Sequence, residues 1–114
     1  MDARASAVEG DRPIAADALA DPCVAFAGIA KPARFFASLE SLGIRVGKRV
    51  EFRDHHRYSA EDIAGLGSGT LITTEKDAVR LEGRVSGRLL HLRISAHVAE
   101  LDRLLAIAPL PLLL

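Results

Sequence analysis

A chain of 114 residues with 49% hydrophobic and 26% charged residues has the make-up of one small globular domain, not of a disordered segment. Its fifteen basic and fifteen acidic residues cancel, so bulk charge singles out no acidic partner, and no nucleic-acid partner is expected. The single cysteine, Cys23, excludes an intrachain disulfide framework and fits a reducing, cytoplasmic compartment.

Met1 to Asp21 is rich in Ala, Asp and Arg and holds no sustained apolar period. Residues 1–21 therefore read as a poorly ordered lead-in, with at most a weak helix over Ile14 to Leu19. No basic stretch runs into an apolar core, which argues against a secretory signal. An α/β domain is expected over 22–107. It opens with Cys23-Val24-Ala25-Phe26-Ala27, a short apolar run closed by Gly28 that suits a strand buried on both faces. Pro32 and Gly43 bracket a helix whose buried stripe is Phe35, Phe36, Leu39 and Leu42.

Ile44 to Phe52 reads as a strand of period two, with Ile44, Val46, Val50 and Phe52 on one face. The polar loop Arg53-Asp54-His55-His56-Arg57-Tyr58 follows. Ser59 can cap a short helix over Ala60 to Leu66, with Asp62 completing a capping box. Gly67-Ser68-Gly69 breaks that helix. Thr70 to Thr74 is rich in β-branched residues and reads as the next strand. Glu75 to Leu81 reads as a helical turn stopped by Gly83, Leu89 to Ile94 as a further strand, and Val98 to Ile107 as a last helix. Residues 108–114 form an apolar tail, too short and too proline-rich to span a bilayer. It can rest on the domain, on a neighbouring part or on a membrane surface. Strand and helix alternate, so the expected fold is a small, mostly parallel sheet with flanking helices.

In such sheets ligands gather beyond the carboxyl ends of the strands. Three segments fall there: Gly28 to Pro32, Asp54-His55-His56, and Thr73 to Asp77. An imidazole beside a carboxylate can support a general base near neutral pH, and the same residues could contribute to a metal site if further ligands joined them. A solvated polar loop is the plain alternative. Lys76, near a helix start, is a candidate phosphate ligand, although Glu75 and Asp77 beside it could instead lock a structural turn by ion pairing. Arg53 and Arg57 are further candidates for an anionic substrate. From Lys31 to Arg57 seven basic residues face three acidic ones, a surplus of four. No stretch matches G-x-x-x-x-G-K-[ST], the phosphate loop of many nucleotide-binding proteins.

Taken together and in this order, Ala25-Phe26-Ala27-Gly28-Ile29-Ala30-Lys31-Pro32-Ala33-Arg34-Phe35-Phe36, Phe52-Arg53-Asp54-His55-His56-Arg57-Tyr58-Ser59 and Thr73-Thr74-Glu75-Lys76-Asp77-Ala78-Val79-Arg80-Leu81 resemble the C-terminal part of the tetraacyldisaccharide 4'-kinases. The resemblance implies the C-terminal part of a P-loop-type kinase fold. It also implies an enzyme that phosphorylates the 4'-hydroxyl of a lipid A precursor disaccharide, an anionic lipid, at the inner face of the cytoplasmic membrane. ATP and Mg²⁺ would be its co-substrates. Their binding loop, the Mg²⁺ ligands and the aspartate base lie N-terminal to the matching part in that family. By the same resemblance, His55 supports the base and Asp54 neighbours it. The chain alone is then expected to be inactive and to bind neither ATP nor Mg²⁺ tightly, for want of its N-terminal ATP-binding part. One departure stands out: Tyr58 to Leu71 is shorter than usual in the family and carries Gly65, Gly67 and Gly69. A metal-dependent phosphoesterase using Asp54, His55 and His56, and a non-catalytic α/β interaction module, are the rival readings.

Overall fold

In the computed structural model, which describes residues 5–94, a six-stranded sheet is built from β1 (Ala5–Glu9), β2 (Arg12–Ile14), β3 (Cys23–Ala27), β4 (Val46–Glu51), β5 (Thr70–Thr74) and β6 (Arg88–Ile94). Its spatial order is β2-β1-β6-β5-β3-β4. β4, β3, β5 and β6 run parallel, while β1 pairs antiparallel with β6 and β2 antiparallel with β1. Three α-helices complete it, α1 (Ala33–Ser41), α2 (Ala60–Leu66) and α3 (Glu75–Leu81), and a short 3₁₀ turn spans Ala16–Ala18, within the stretch Ile14 to Leu19 where a weak helix is expected. The helix expected over Val98 to Ile107 and the tail 108–114 lie outside the described residues.

The sheet separates two apolar layers. Cys23, Ala25, Ala27, Ile72, Leu90 and Leu92 pack with Phe35, Phe36 and Leu39 of α1 on one side. Phe26 and Leu71 pack with Tyr58, Leu66 of α2 and Leu81 of α3 on the other. Small side chains (Ala25, Ala27, Cys23) on the first face leave room for the two phenyl rings of α1, which meet at 5.1 Å. From β3 the chain moves outward to β4; from β4 it crosses back to β5 and on to β6. The winding therefore reverses between β3 and β5, the place where open α/β sheets form a crevice.

Local chemistry accounts for the helix ends. After α1, Gly43 adopts φ 79°, its amide bonds to the Glu40 carbonyl, and the Ile44 amide bonds to the Leu39 carbonyl. These are the paired bonds of a Schellman stop, with Leu39 and Ile44 in one cluster as its apolar contact. At α2 the capping box forms as the sequence predicts: Asp62 N–H donates to Ser59 Oγ and Ser59 N–H to Asp62 Oδ2, both at 3.0 Å. The crowded glycines do not prevent this helix. Gly65 lies within it, and Gly67, at φ 84°, ends it.

Two expectations are corrected. The lead-in over 1–21 is not structureless from Ala5 onward: β1 and β2 form a hairpin turned at Gly10 (φ 65°), and β1 extends the sheet by pairing with β6. Ala5, Ala7 and Val8 are buried there, although alanine is a weak strand former, because β1 pairs with β6 and its small side chains are enclosed. A bidentate Glu9–Arg88 pair, both contacts 2.9 Å, ties β1 to β6. Nor does β4 keep one period-two stripe. The register slips between Cys23 and Val24, which pair with Val46 and Lys48, so Gly47 is the extra residue of a bulge. The slip puts Val46 and Val50 on opposite faces, and on this edge strand Val46 is 37% exposed.

With Phe35 only 4% exposed against the sheet, Phe35→Ala should lower stability by about 3–5 kcal/mol. Urea unfolding followed by circular dichroism checks this. A loss of a few tenths would mean that α1 does not depend on this contact.

Candidate functional site

All three chemistry-bearing segments emerge at the carboxyl ends of adjacent parallel strands, Gly28 after β3, Asp54 to His56 after β4 and Thr74 to Asp77 after β5. What joins them is Asp77. Its position as third residue of α3 points its carboxyl back over the helix start, where Thr74 is the N-cap. Asp77 N–H donates to Thr74 Oγ1 at 3.1 Å, and the Thr74 hydroxyl donates to Asp77 Oδ2 at 2.6 Å. The same Oδ2 accepts the Gly28 amide at 3.1 Å, and Oδ1 accepts the Tyr58 hydroxyl at 3.0 Å. Asp77 is 1% exposed. A carboxyl so buried needs its donors, and each of these donors would be costly to leave unpaired. Burial above all, then the Asp77 charge and hydrogen bond, pushes the Tyr58 phenol well above its ordinary pKa, so Tyr58 is a donor throughout the physiological range.

The expectation that Glu75, Lys76 and Asp77 form an ion-paired turn is thereby replaced. Asp77 faces inward to neutral donors, Glu75 lies 3.8 Å from Arg93, and Lys76 is exposed. The sequence reading passed over Asp77 and Tyr58 as site residues. The signal that could have found Asp77 is the Thr74-x-x-Asp77 spacing, a cap pattern at a strand-to-helix junction.

The loop after β4 is held from below. Phe52 N–H bonds to the Ala27 carbonyl at 2.8 Å, His55 N–H to the Gly28 carbonyl at 3.2 Å and His56 N–H to the Arg53 carbonyl at 3.0 Å. Arg84, in the turn after α3, donates to the Tyr58 carbonyl at 2.8 Å. His55 adopts φ 59°, a left-handed conformation uncommon outside glycine that the surrounding bonds must maintain. Its ring Nε2 lies 3.7 Å from Asp54 Oδ2, and both side chains are largely exposed, at 70% and 46%. His56 is different. Its Nε2 lies 2.8 Å from Asp62 Oδ2, and its ring stacks on Phe52 at 4.6 Å and meets Tyr58 edge-on. The Asp62 carboxyl, held below its usual range first by the Ser59 amide and then by His56, ties this ring to the cap of α2. Two adjacent histidines thus divide: His56 is fixed within the fold, and His55 is presented outward.

The remaining candidates are not brought together with His55. Lys76 lines a groove of about 950 Å³ at the winding reversal, where Lys31 and Arg34 supply further positive charge and Ile29, Phe35, Leu92 and Ile94 an apolar wall. Asp54 and His55 do not line it. Arg53 and Arg57 are exposed on the β4 loop, with no ion pair to another described residue. Among the described residues no group of three His, Cys, Asp or Glu side chains could hold a metal ion, and His56 Nε2 is engaged with Asp62.

A side chain at Gly28 would be crowded. A Cβ there would lie 3.0 Å from Tyr58 Oη, 3.2 Å from the Arg53 carbonyl and 3.3 Å from Asp77 Oδ1. Gly28→Ala should therefore cost about 1–3 kcal/mol by forcing this junction apart, read as a lower urea midpoint at unchanged slope. Equal midpoints would show that the junction yields freely.

Comparison with known proteins agrees with the motifs. The model of the family described as tetraacyldisaccharide-1-P 4'-kinase matches residues 2–108. A tetraacyldisaccharide 4'-kinase of Methylobacterium nodulans is 43% identical over 112 residues, covering 87% of this chain and 33% of that protein. One from Aeromonas hydrophila is 40% identical over 101 residues, covering 86% and 30%. Among solved structures, the "apo" form of LpxK from Aquifex aeolicus in complex with ATP superposes with a TM-score of 0.60 at 25% identity, covering 86% of this chain and 32% of that one. The chain spans about a third of the length of these relatives. With three parallel strand-to-helix junctions carrying the family's motifs and the family model matching nearly end to end, the chain belongs to the tetraacyldisaccharide-1-P 4'-kinase family.

Proposed function

We propose that this chain is the C-terminal part of a tetraacyldisaccharide 4'-kinase, an enzyme that transfers the γ-phosphate of ATP to the 4'-hydroxyl of a lipid A precursor disaccharide. The observation that carries its role is the outward ring of His55 beside Asp54, exposed at the carboxyl edge of the parallel strands. As a sugar hydroxyl attacks phosphorus its proton must leave, and a base steadied by an imidazole assists that departure. His55 acts as the steadying group, with Asp54 orienting it. The base itself, together with the groups that hold ATP and Mg²⁺, belongs to an N-terminal part of the enzyme. The described residues offer no three-ligand cluster for the cation, and the sequence holds no G-x-x-x-x-G-K-[ST] loop for the triphosphate. Mg²⁺, when bound there, offsets the phosphate charge. Lys76 with Lys31 and Arg34 forms a basic rim suited to an anionic acceptor, and Arg53 and Arg57 offer further charge near His55.

The enzyme so completed works at the cytoplasmic face of the inner membrane as a peripheral protein. No helix among the described residues is long and apolar enough to cross a membrane.

In a complete kinase carrying this segment, His55→Ala should slow phosphoryl transfer by about tenfold to a few hundredfold, part of the 10²–10⁴ that a general base supplies. The KM for ATP should change little. His56→Ala should act mainly on stability, lowering the thermal midpoint. Steady-state kinetics with melting curves separates the two, and normal turnover of His55→Ala would remove it from the mechanism. The 114-residue chain alone should show no acceptor-dependent ATP turnover; detecting it in homogeneous protein would refute the division of labour between the two parts.

A further inference from the structure

Outside the His55–Asp54 pair, the most completely bonded polar group of the described molecule is the Asp77 carboxyl, and the reading of His55 gives it no task. It accepts from the Gly28 amide, the Tyr58 hydroxyl and the Thr74 hydroxyl, at 3.1, 3.0 and 2.6 Å. These three donors belong to the loop after β3, the loop after β4 and the end of β5. Gly28 faces both ways: its amide donates to Asp77, and its carbonyl accepts the amide of His55 at 3.2 Å. His55 is also the one non-glycine residue with positive φ among the described residues. Its backbone is therefore reached from Asp77 through the single residue Gly28 on the β3 side and through Tyr58, three residues on, along its own loop.

We propose that Asp77 and Tyr58 are positioning residues for the reaction, fixing the left-handed backbone of His55 through Gly28 so that its ring projects from the carboxyl edge of the sheet. This rests on the role given to His55 above. A clasp made only for stability could bond to any part of the β4 loop. This one bonds to Gly28, the residue whose carbonyl accepts the His55 amide, and to the tyrosine that closes the same loop. Phe26 and Phe52 flank that tyrosine at 5.9 and 5.1 Å between ring centroids, so its ring position is set by packing and its hydroxyl is available for the clasp. Removing the hydroxyl leaves the ring packed and loosens only the hydrogen bond. That makes Tyr58→Phe a finer probe than any change at Asp77, where three donors would lose their acceptor at once.

The test is a double-mutant cycle in the complete kinase, using Tyr58→Phe, His55→Ala and the pair, with ATP and the disaccharide acceptor each varied. Urea midpoints confirm that every variant is folded under assay conditions. Tyr58→Phe should lower kcat about three- to tenfold and leave both KM values within about twofold. In the His55→Ala background the same change should alter kcat by less than about twofold, because coupled groups are not additive. Asp77→Asn should follow the same pattern with a larger loss. An equal kcat loss from Tyr58→Phe in both backgrounds would overturn the inference and leave the clasp a structural device. So would a Tyr58→Phe enzyme with unchanged kcat. If His55→Ala itself turns over normally, the functional reading falls and the inference with it, an outcome distinct from the failure of the clasp alone.

Discussion

A carboxyl with one hundredth of its residue's surface exposed has to be satisfied from within, and in this fold Asp77 is satisfied by three different segments. That constraint shapes much of the carboxyl edge of the sheet. Each donor that bonds to it is withdrawn from water, and each would cost about 1–3 kcal/mol if the acceptor were lost. The loops after β3 and β4 and the start of α3 are held in one arrangement by it. The absence of a side chain at Gly28 belongs to the same constraint, because a Cβ there would meet Tyr58, Arg53 and Asp77 together. So does the edge-on packing of Phe26, Phe52 and Tyr58, which sets the height of the tyrosine hydroxyl.

The consequence is a division of labour within a few residues. His56 turns inward to Asp62 and Phe52, joining the loop to the cap of α2. His55 turns outward, its backbone bonded to Gly28 and its ring free for a partner supplied from elsewhere. Such an arrangement suits a site completed by a second part of a longer enzyme. On the role proposed for His55, its ring has to be exposed here and aimed at groups supplied by the rest of the enzyme. Preorganisation of this kind, with rigid elements beneath a projecting group, is what positioning in catalysis requires.

Much of this was legible in the residues. Short apolar or β-branched runs closed by glycine or a cap gave the parallel strands, because both faces of such strands are buried and leave no polar alternation to blur the signal. The Ser59–Asp62 box and Gly43 marked helix ends through specific hydrogen bonds. The His55 and His56 pair was visible as a cluster, and their separate fates followed from a carboxylate six residues on, which spacing alone does not reveal. The hairpin of β1 and β2 was hidden by its alanines and by Arg12 and Pro13; its stability comes from pairing with β6, a partner some eighty residues away. The bulge at Gly47 was hidden for a related reason: a register slip is a property of two strands, and it moved Val46 off the face that period two assigns. Asp77 escaped notice because it sits among charges in sequence and among neutral donors in space.

The claim on which the account turns is that Asp77 holds Gly28 and through it His55. Amide hydrogen exchange followed residue by residue addresses it directly, in the protein and in its Tyr58→Phe and Asp77→Asn variants, under conditions where β3 and β5 remain protected. The account requires the amides of Gly28 and His55 to lose protection together by at least tenfold, roughly 1.4 kcal/mol, while those of Ala25 and Ile72 in the strands beneath keep theirs. Unchanged protection at His55 once the clasp is cut would contradict it, since the loop would then hold its shape without Asp77.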